Sequence, residues 1–307
     1  MAVAWVDQQD TSSTSVDTAR FLAKAATSAL YDELDLTPKP GLVDRASTGA
    51  HRDMDYGLMR RAVRALEPGF IAIGQAAIQA VDKVECRTAI GEAGREAERA
   101  MMAATGGINT HRGAIWALGL IVAAAARRSS ATWHAPDVLI DVAALASIDD
   151  PALIQRAPVS NGQRAVARYR VAGARGEAVA GFPAIVAAGL PGLHAARRRG
   201  YDETTARLDA LVAIMTVLDD TCVLHRAGAE GLAAVQDRAR AVIRAGGTAT
   251  RAGNRALAEL DAILISRSAS PGGAADLLAA TLLIDRLERV VSQSLRTKEI
   301  DHANVIA

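Results

Sequence analysis

Between residues 37 and 55 the chain reads TPKPGLVDRASTGAHRDMD, and this one stretch holds Lys39, Asp44, His51, Asp53 and Asp55. Carboxylates at this density suit a divalent cation or a sugar hydroxyl, a lysine suits a phosphate, and a histidine can move a proton near neutral pH. Two prolines and two glycines exclude a regular element here. A long structureless connection inside a compact helical protein is usually functional.

Three more polar clusters interrupt an otherwise apolar pattern. Asn109-Thr110-His111-Arg112-Gly113 opens the apolar run Ala114–Ala126. Free backbone N–H groups at such a helix start form an anion site that His111 and Arg112 would strengthen, although a capped helix with a solvated arginine explains the same residues. The third cluster is Gly173-Ala174-Arg175-Gly176-Glu177, which by itself reads as a turn. The fourth is Asp219-Asp220, with His225-Arg226 following, inside what reads as an apolar helix. Adjacent carboxylates there are costly to bury unless they meet a cation or a base, and a solvated helix end is the plain alternative.

Asp53 and Asp55 face the same way in an extended loop. With Asp44, and with Asp219 or Asp220, they could supply oxygen ligands to Mg²⁺, which takes a few carboxylates together with substrate phosphates. His51, His111 and His225 lack the i, i+4 spacing of a helical zinc site, so the oxygen-rich magnesium reading is favoured. Neither G-x-x-x-x-G-K-[ST] nor G-x-G-x-x-G occurs, so any nucleotide is held without a P-loop or a Rossmann turn.

The elements around these clusters read as helices. Apolar spacing predicts helices over 16–34, from 56 to 81 with a break or kink at Pro68-Gly69, and over 91–104. A buried helix follows the Asn109 cluster, with Asn109 or Thr110 as its cap. Further helices fit 137–147, 177–187, 204–226, 231–245, 252–266 and 274–294, the last entered through Ser270-Pro271-Gly272-Gly273. No succession of alternating or β-branched runs appears, so the expected fold is all-α: a single compact domain over 16–307 behind a flexible leader, 1–15.

Composition narrows the function classes. A net charge of +1 gives no reason to expect nucleic acid or an anionic membrane as partner. The longest apolar run has thirteen residues, too short for a bilayer, and the N-terminus carries no secretory signal. Cys86 and Cys222 stand far apart without a C-x-x-C pair, which fits reduced thiols in the cytoplasm.

Together, TPKPGLVDRASTGAHRDMD, GINTHRGAIWALGL, GARGEA, LDDTCVLHRAG and SPGGAADLLAATLLIDRL resemble, in order, the triphosphoribosyl-dephospho-CoA synthase family, over roughly residues 33–287. Arg112 stands where many relatives carry lysine, and Cys222 where asparagine is common. The resemblance implies a transferase that moves the 5-triphosphoribosyl group of ATP to the 2′-hydroxyl of 3′-dephospho-CoA and releases adenine. Its product would pass to an acyl-carrier-protein transferase serving malonate decarboxylase, a branch favoured over citrate lyase because no fused transferase accompanies the chain. On this reading Glu33, His51, Asp53 and His111 are the candidate acids and bases. Lys39, Asn109, Thr110, Arg112, Arg175, Glu177 and Arg226 contact substrate or phosphate, and Mg²⁺ is held by Asp44, Asp53, Asp55, Asp219 and Asp220. The reading admits a homodimer. A Mg²⁺-dependent nucleotide hydrolase or N-glycosidase and a non-catalytic nucleotide-binding helical protein are the competing readings.

Overall fold

A computed structural model describes residues 6–150, 152 and 160–306. Among them are twelve α-helices and no strand, as the absence of period-two patterning implies. The helix α4 (Arg112–Ala126) lies at the centre, with twelve of the thirteen residues from Ala114 to Ala126, all but Trp116, buried. A helix apolar on every side can exist in water only when neighbours cover it all round. Its neighbours are α1 (Val6–Leu34), α2 (Tyr56–Gln79), α3 (Lys83–Ala104), α5 (Ala135–Ser147) and the C-terminal α12 (Gly272–Ile306). The first helix begins within the stretch expected to be a leader, and residues 1–5 lie outside the described part.

The core is built from alanine, leucine and isoleucine rather than aromatics, so backbones approach closely. A Cβ on Gly69 would lie 2.5 Å from Ala97 Cβ, and one on Gly74 would lie 3.1 Å from Ala19 Cβ. These glycines let α2 nest against α3 and α1. Contrary to the expected break, α2 runs continuously through Pro68-Gly69. Pro68 faces solvent, where water can satisfy the carbonyl that loses its donor. The third helix also starts earlier than the periodicity indicates, because Asp82 caps it at Val84 and Glu85 N–H.

The second half departs further from expectation. A single helix over 177–187 does not form. Instead α6 (Asn161–Tyr169) closes on Arg170 at positive φ, α7 (Gly173–Val179) is followed by Gly181 and Phe182, both at positive φ, and a π-turn over Ile185–Gly189 leads into α8 (Leu190–Arg198). Nor is 204–226 one helix. α9 (Glu203–Val217) stops, three residues run extended or irregular, and α10 (Thr221–Arg244) starts at Asp220. Apolar residues resume on both sides of Asp219-Asp220, so periodicity joins the two helices that the capping carboxylate divides.

Within α10, Gly228 has φ 70° and ψ −174°. In a straight helix residue 236 would lie about 22 Å beyond residue 221. Yet Gln236 Nε2 donates to Leu218 O at 3.2 Å and Arg240 to Thr216 O at 3.1 Å. The chain therefore folds back at Gly228, bringing the later part of α10 alongside the end of α9 and against α11 (Arg251–Ser266). That backbone conformation is nearly exclusive to glycine. Gly228→Ala should lower stability by about 1–3 kcal/mol in urea unfolding, and an unchanged midpoint and slope would contradict the reversal.

Candidate functional site

The N-termini of α4, α10 and α12 converge on one polar cluster, and Asp220 ties two of them together. Its Oδ1 accepts from Cys222 N–H at 2.8 Å and Val223 N–H at 3.3 Å, and its Oδ2 accepts from Ala274 N–H at 2.9 Å. Gly273 N–H adds a further bond. Burial nevertheless pushes the Asp220 carboxyl above the usual carboxylate range, against the pull of these donors. Gly273 makes the contact feasible, since a Cβ there would lie 3.1 Å from Asp220 Oδ2.

Asp276, in the first turns of α12, was not singled out by sequence reasoning. Its Oδ2 presses so close to Gly113 that a Cβ there would sit 2.0 Å away, and Ala114 N–H at the head of α4 donates to it. Burial, then the nearby charges of Glu33 and Asp220, raise its carboxyl well above the ordinary range. Two acidic neighbours in a protein-lined position favour its protonated form. A carboxylate following the Ser-Pro-Gly-Gly turn, at the head of the apolar run LLAATLLI, was the available signal.

Glu33, at the end of α1, forms a buried ion pair with Lys39, Nζ to Oε1 2.5 Å. The loop 37–55 brings Lys39 there, and Asp44 fixes the loop. Asp44 Oδ2 accepts from Lys39 N–H at 2.9 Å, and Oδ1 from Ala46 and Ser47 N–H at 2.7 and 2.8 Å. Gly49, at φ 55°, lies against the Leu42 carbonyl and lets the loop close on itself. Asp55 serves as the N-cap of α2, accepting from Leu58 N–H. Two of the expected metal ligands thus hold backbone, and a third, Asp220, does the same.

His111 is buried at the head of α4, with Nδ1 2.8 Å from Thr110 Oγ1 and no partner for Nε2. Burial first, and then the Lys39 charge, pull its pKa down to about 4. Nearby, His51 faces Asp53 at 3.5 Å and feels Arg226, which donates to Ser268 O at 3.2 Å. Burial is the largest cause holding the His51 pKa down. Cys222 is accessible to solvent yet closely ringed by protein, so burial and the Asp220 and Asp276 charges raise its thiol. Glu177 accepts weakly from Ala184 N–H at 3.4 Å and is raised by burial and by Asp219, which joins the third cluster to the fourth.

The pocket therefore gathers Glu33, Lys39, His111, Asp220 and Asp276, with His51, Asp53 and Arg226 to one side and Glu177 and Asp219 to another. Arg112 and Arg175 are engaged at the surface, by Glu98 and by Asp149 at 2.5 Å. Asn109 Oδ1 accepts from Arg112 N–H at 3.2 Å, but the N-cap position of α4 falls on His111, whose side chain makes no capping bond, and not on Asn109 or Thr110 as expected. Among the described residues no group of three or more His, Cys, Asp or Glu side chains is arranged to hold a metal ion.

The His111 shift has a measurable consequence. An unfolded imidazole takes its proton near pH 6.5, the folded one only near 4, so acid favours unfolding between these values. Stability present above pH 6.5 should fall toward pH 4 by an amount on the order of 3 kcal/mol from this group. Urea unfolding of wild type and His111→Asn at pH 7 and 4.5 isolates the contribution. Equal pH dependence in the two proteins would contradict it.

Comparison with known proteins identifies the family. A family model described as ATP:dephospho-CoA triphosphoribosyl transferase matches residues 19–294. A relative from Pseudomonas fluorescens is 54% identical over 271 residues, 88% of this chain and 92% of its own length. One from Azotobacter vinelandii is 53% identical over 88% of this chain and 92% of its own, and one from Stutzerimonas stutzeri 52% over 89% and 94%. Each bears the name probable 2-(5''-triphosphoribosyl)-3'-dephosphocoenzyme-A synthase. No solved structure matches the chain. With the five sequence segments in order and a family match spanning the helices that build the pocket, the chain belongs to the ATP:dephospho-CoA triphosphoribosyl transferase family.

Proposed function

We propose that the pocket at the three helix N-termini transfers the 5-triphosphoribosyl group of ATP to the 2′-hydroxyl of 3′-dephospho-CoA. The bond from ribose C1′ to adenine breaks, its electron pair leaving with the base, and a bond from C1′ to the acceptor oxygen forms. The hydroxyl proton is lost to a base, adenine gains a proton, and the triphosphate stays whole. The single observation that carries this reading is the convergence of Glu33, Asp220 and Asp276 with Lys39 and an unpartnered imidazole in one buried place.

That composition suits an N-glycosidic transfer. Loss of adenine builds positive charge at C1′, which fixed carboxylates stabilise more strongly out of water. Asp276, held in its protonated form by its surroundings, is the proposed acid toward adenine. His111 Nε2, buried, uncharged above pH 4 and without a partner, is the proposed acceptor of the hydroxyl proton. The positive dipole ends of α4 and α12, whose first N–H groups are largely taken by Asn109, Asp276 and Asp220, add to the charges of Lys39 and Arg226 in favouring the triphosphate.

Mg²⁺ fits the donor chemistry as an ion arriving with ATP. Asp53 and Asp219 are exposed carboxylates, and Mg²⁺ ordinarily needs one or two of these beside phosphate oxygens and water. When bound it would neutralise phosphate charge and fix the triphosphate as a handle. Delivery of the product to an acyl-carrier-protein transferase serving malonate decarboxylase is proposed as its destination. The described residues include no helix long and apolar enough to cross a membrane, and a cytoplasmic location is part of the same proposal.

Protein incubated with ATP and Mg²⁺ should release adenine only when dephospho-CoA is supplied. Asp276→Asn should lower that rate by about 10²–10⁴-fold with little change in the KM for either substrate. Release of ADP or phosphate without adenine, or a wild-type rate in Asp276→Asn, would contradict the assignment.

A further inference from the structure

A second concavity, of about 560 Å³, opens between α8, α9 and the end of α10. Its floor is made of small residues, among them Ala188, Gly192, Ala195 and Ala213. Gly192 keeps it low, because a Cβ there would lie 3.2 Å from both Ala210 Cα and Ala213 Cβ. Two of its walls carry apolar side chains in contact with water, Val217 at 52% exposure and Ile243 at 42%. Its rim carries Arg199, Arg240 and Arg244.

Two of these arginines are not spent on the fold, whereas Arg240 also donates to Thr216 O. Arg199 and Arg244 are exposed, and neither guanidinium meets an acceptor among the described residues. Arg240 pairs with exposed Asp237 at 2.7 Å, an interaction worth little in water. The one acid in the groove, Asp209, is already engaged by Thr248, whose N–H and Oγ1 donate to Oδ1 at 2.7 and 2.8 Å. The concavity thus presents net positive charge over an apolar bed, which suits an anion carrying a long weakly polar arm.

The groove also runs toward the transfer pocket. Thr216 and Val217 form one end of it, and Asp220 follows Val217 by three residues, at most about 10 Å of extended chain. Arg240, bonded to Thr216 O, marks this near end, and Arg244 lies one helical turn further out on the same face.

We propose that this groove binds the dephospho-CoA co-substrate beyond its reacting ribose, with the arginines on the diphosphate and the alanine, valine and isoleucine walls along the pantetheine arm. The assignment rests on the transfer reaction proposed above and extends it to the acceptor. It places the acceptor ribose over the carboxylate pocket and its thiol end at the far side of the groove.

The double variant Arg199→Glu/Arg244→Glu changes only exposed side chains, and Ala213→Trp blocks the bed without adding charge. Each should raise the KM for dephospho-CoA about tenfold or more while leaving the KM for ATP within about twofold. Calorimetric titration of dephospho-CoA should weaken in parallel, and pantetheine alone should compete with it in wild type but not in Ala213→Trp. An unchanged KM and Kd for dephospho-CoA in both variants would overturn the proposal. A rise in the KM for ATP instead would overturn it too, by giving the groove to the triphosphate. If wild type binds dephospho-CoA through this groove yet releases no adenine, the transfer reaction is at fault and the groove assignment stands.

Discussion

One carboxylate organises the second half of this molecule. Asp220 ends the apolar run of α9, caps α10 and, with its other oxygen, takes the first free N–H groups of α12. Two helix N-termini that would each repel the other's partial positive charge are thereby held side by side around a shared negative charge. Burying that carboxylate is costly, and four backbone donors offset part of the cost. Everything that faces the pocket from α10 and α12, including Cys222, Arg226 and Asp276, takes its position from this junction.

The junction also sets the chemistry. Asp276 lies beside Glu33 and Asp220, burial and these neighbours raise its carboxyl, and Lys39 pairs with Glu33 instead. A carboxyl group that stays protonated next to one that does not is the arrangement by which a site can donate a proton and stabilise positive charge at once. Gly113 and Gly273 contribute by what they lack, since a side chain at either would push a carboxylate out of reach of its helix.

Much of this was legible in the sequence, for identifiable reasons. The loop at 37–55 announces itself because proline and glycine stop the helical period where ionisable residues accumulate, and the structure does bring Lys39 to the pocket. What the loop's acids do was not legible. Asp44 and Asp55 read as ligands by composition, whereas here they hold backbone N–H groups, a role set by local turn geometry. The break between α9 and α10 was hidden for a similar reason: apolar residues resume on both sides of it, so periodicity alone joins what a capping aspartate divides. Asp276 was missed because one acid in an apolar helix looks like an ordinary surface position until the fold sets it against Gly113 and Glu33. The reversal at Gly228 falls in the gap between the helices expected over 204–226 and 231–245, but how sharply the chain turns there shows only in the glycine's positive φ.

The central claim is that the ribose of ATP reacts where α4, α10 and α12 begin. A crystal structure of the protein with a non-cleavable ATP analogue, Mg²⁺ and dephospho-CoA tests it most directly. The account predicts the triphosphate against the α4 and α12 N-termini beside Lys39, and the C1′ carbon facing Asp276. The acceptor 2′-hydroxyl should lie within hydrogen-bond reach of His111 Nε2. A nucleotide bound away from Asp220 and Asp276, with both carboxylates facing only protein, would contradict it.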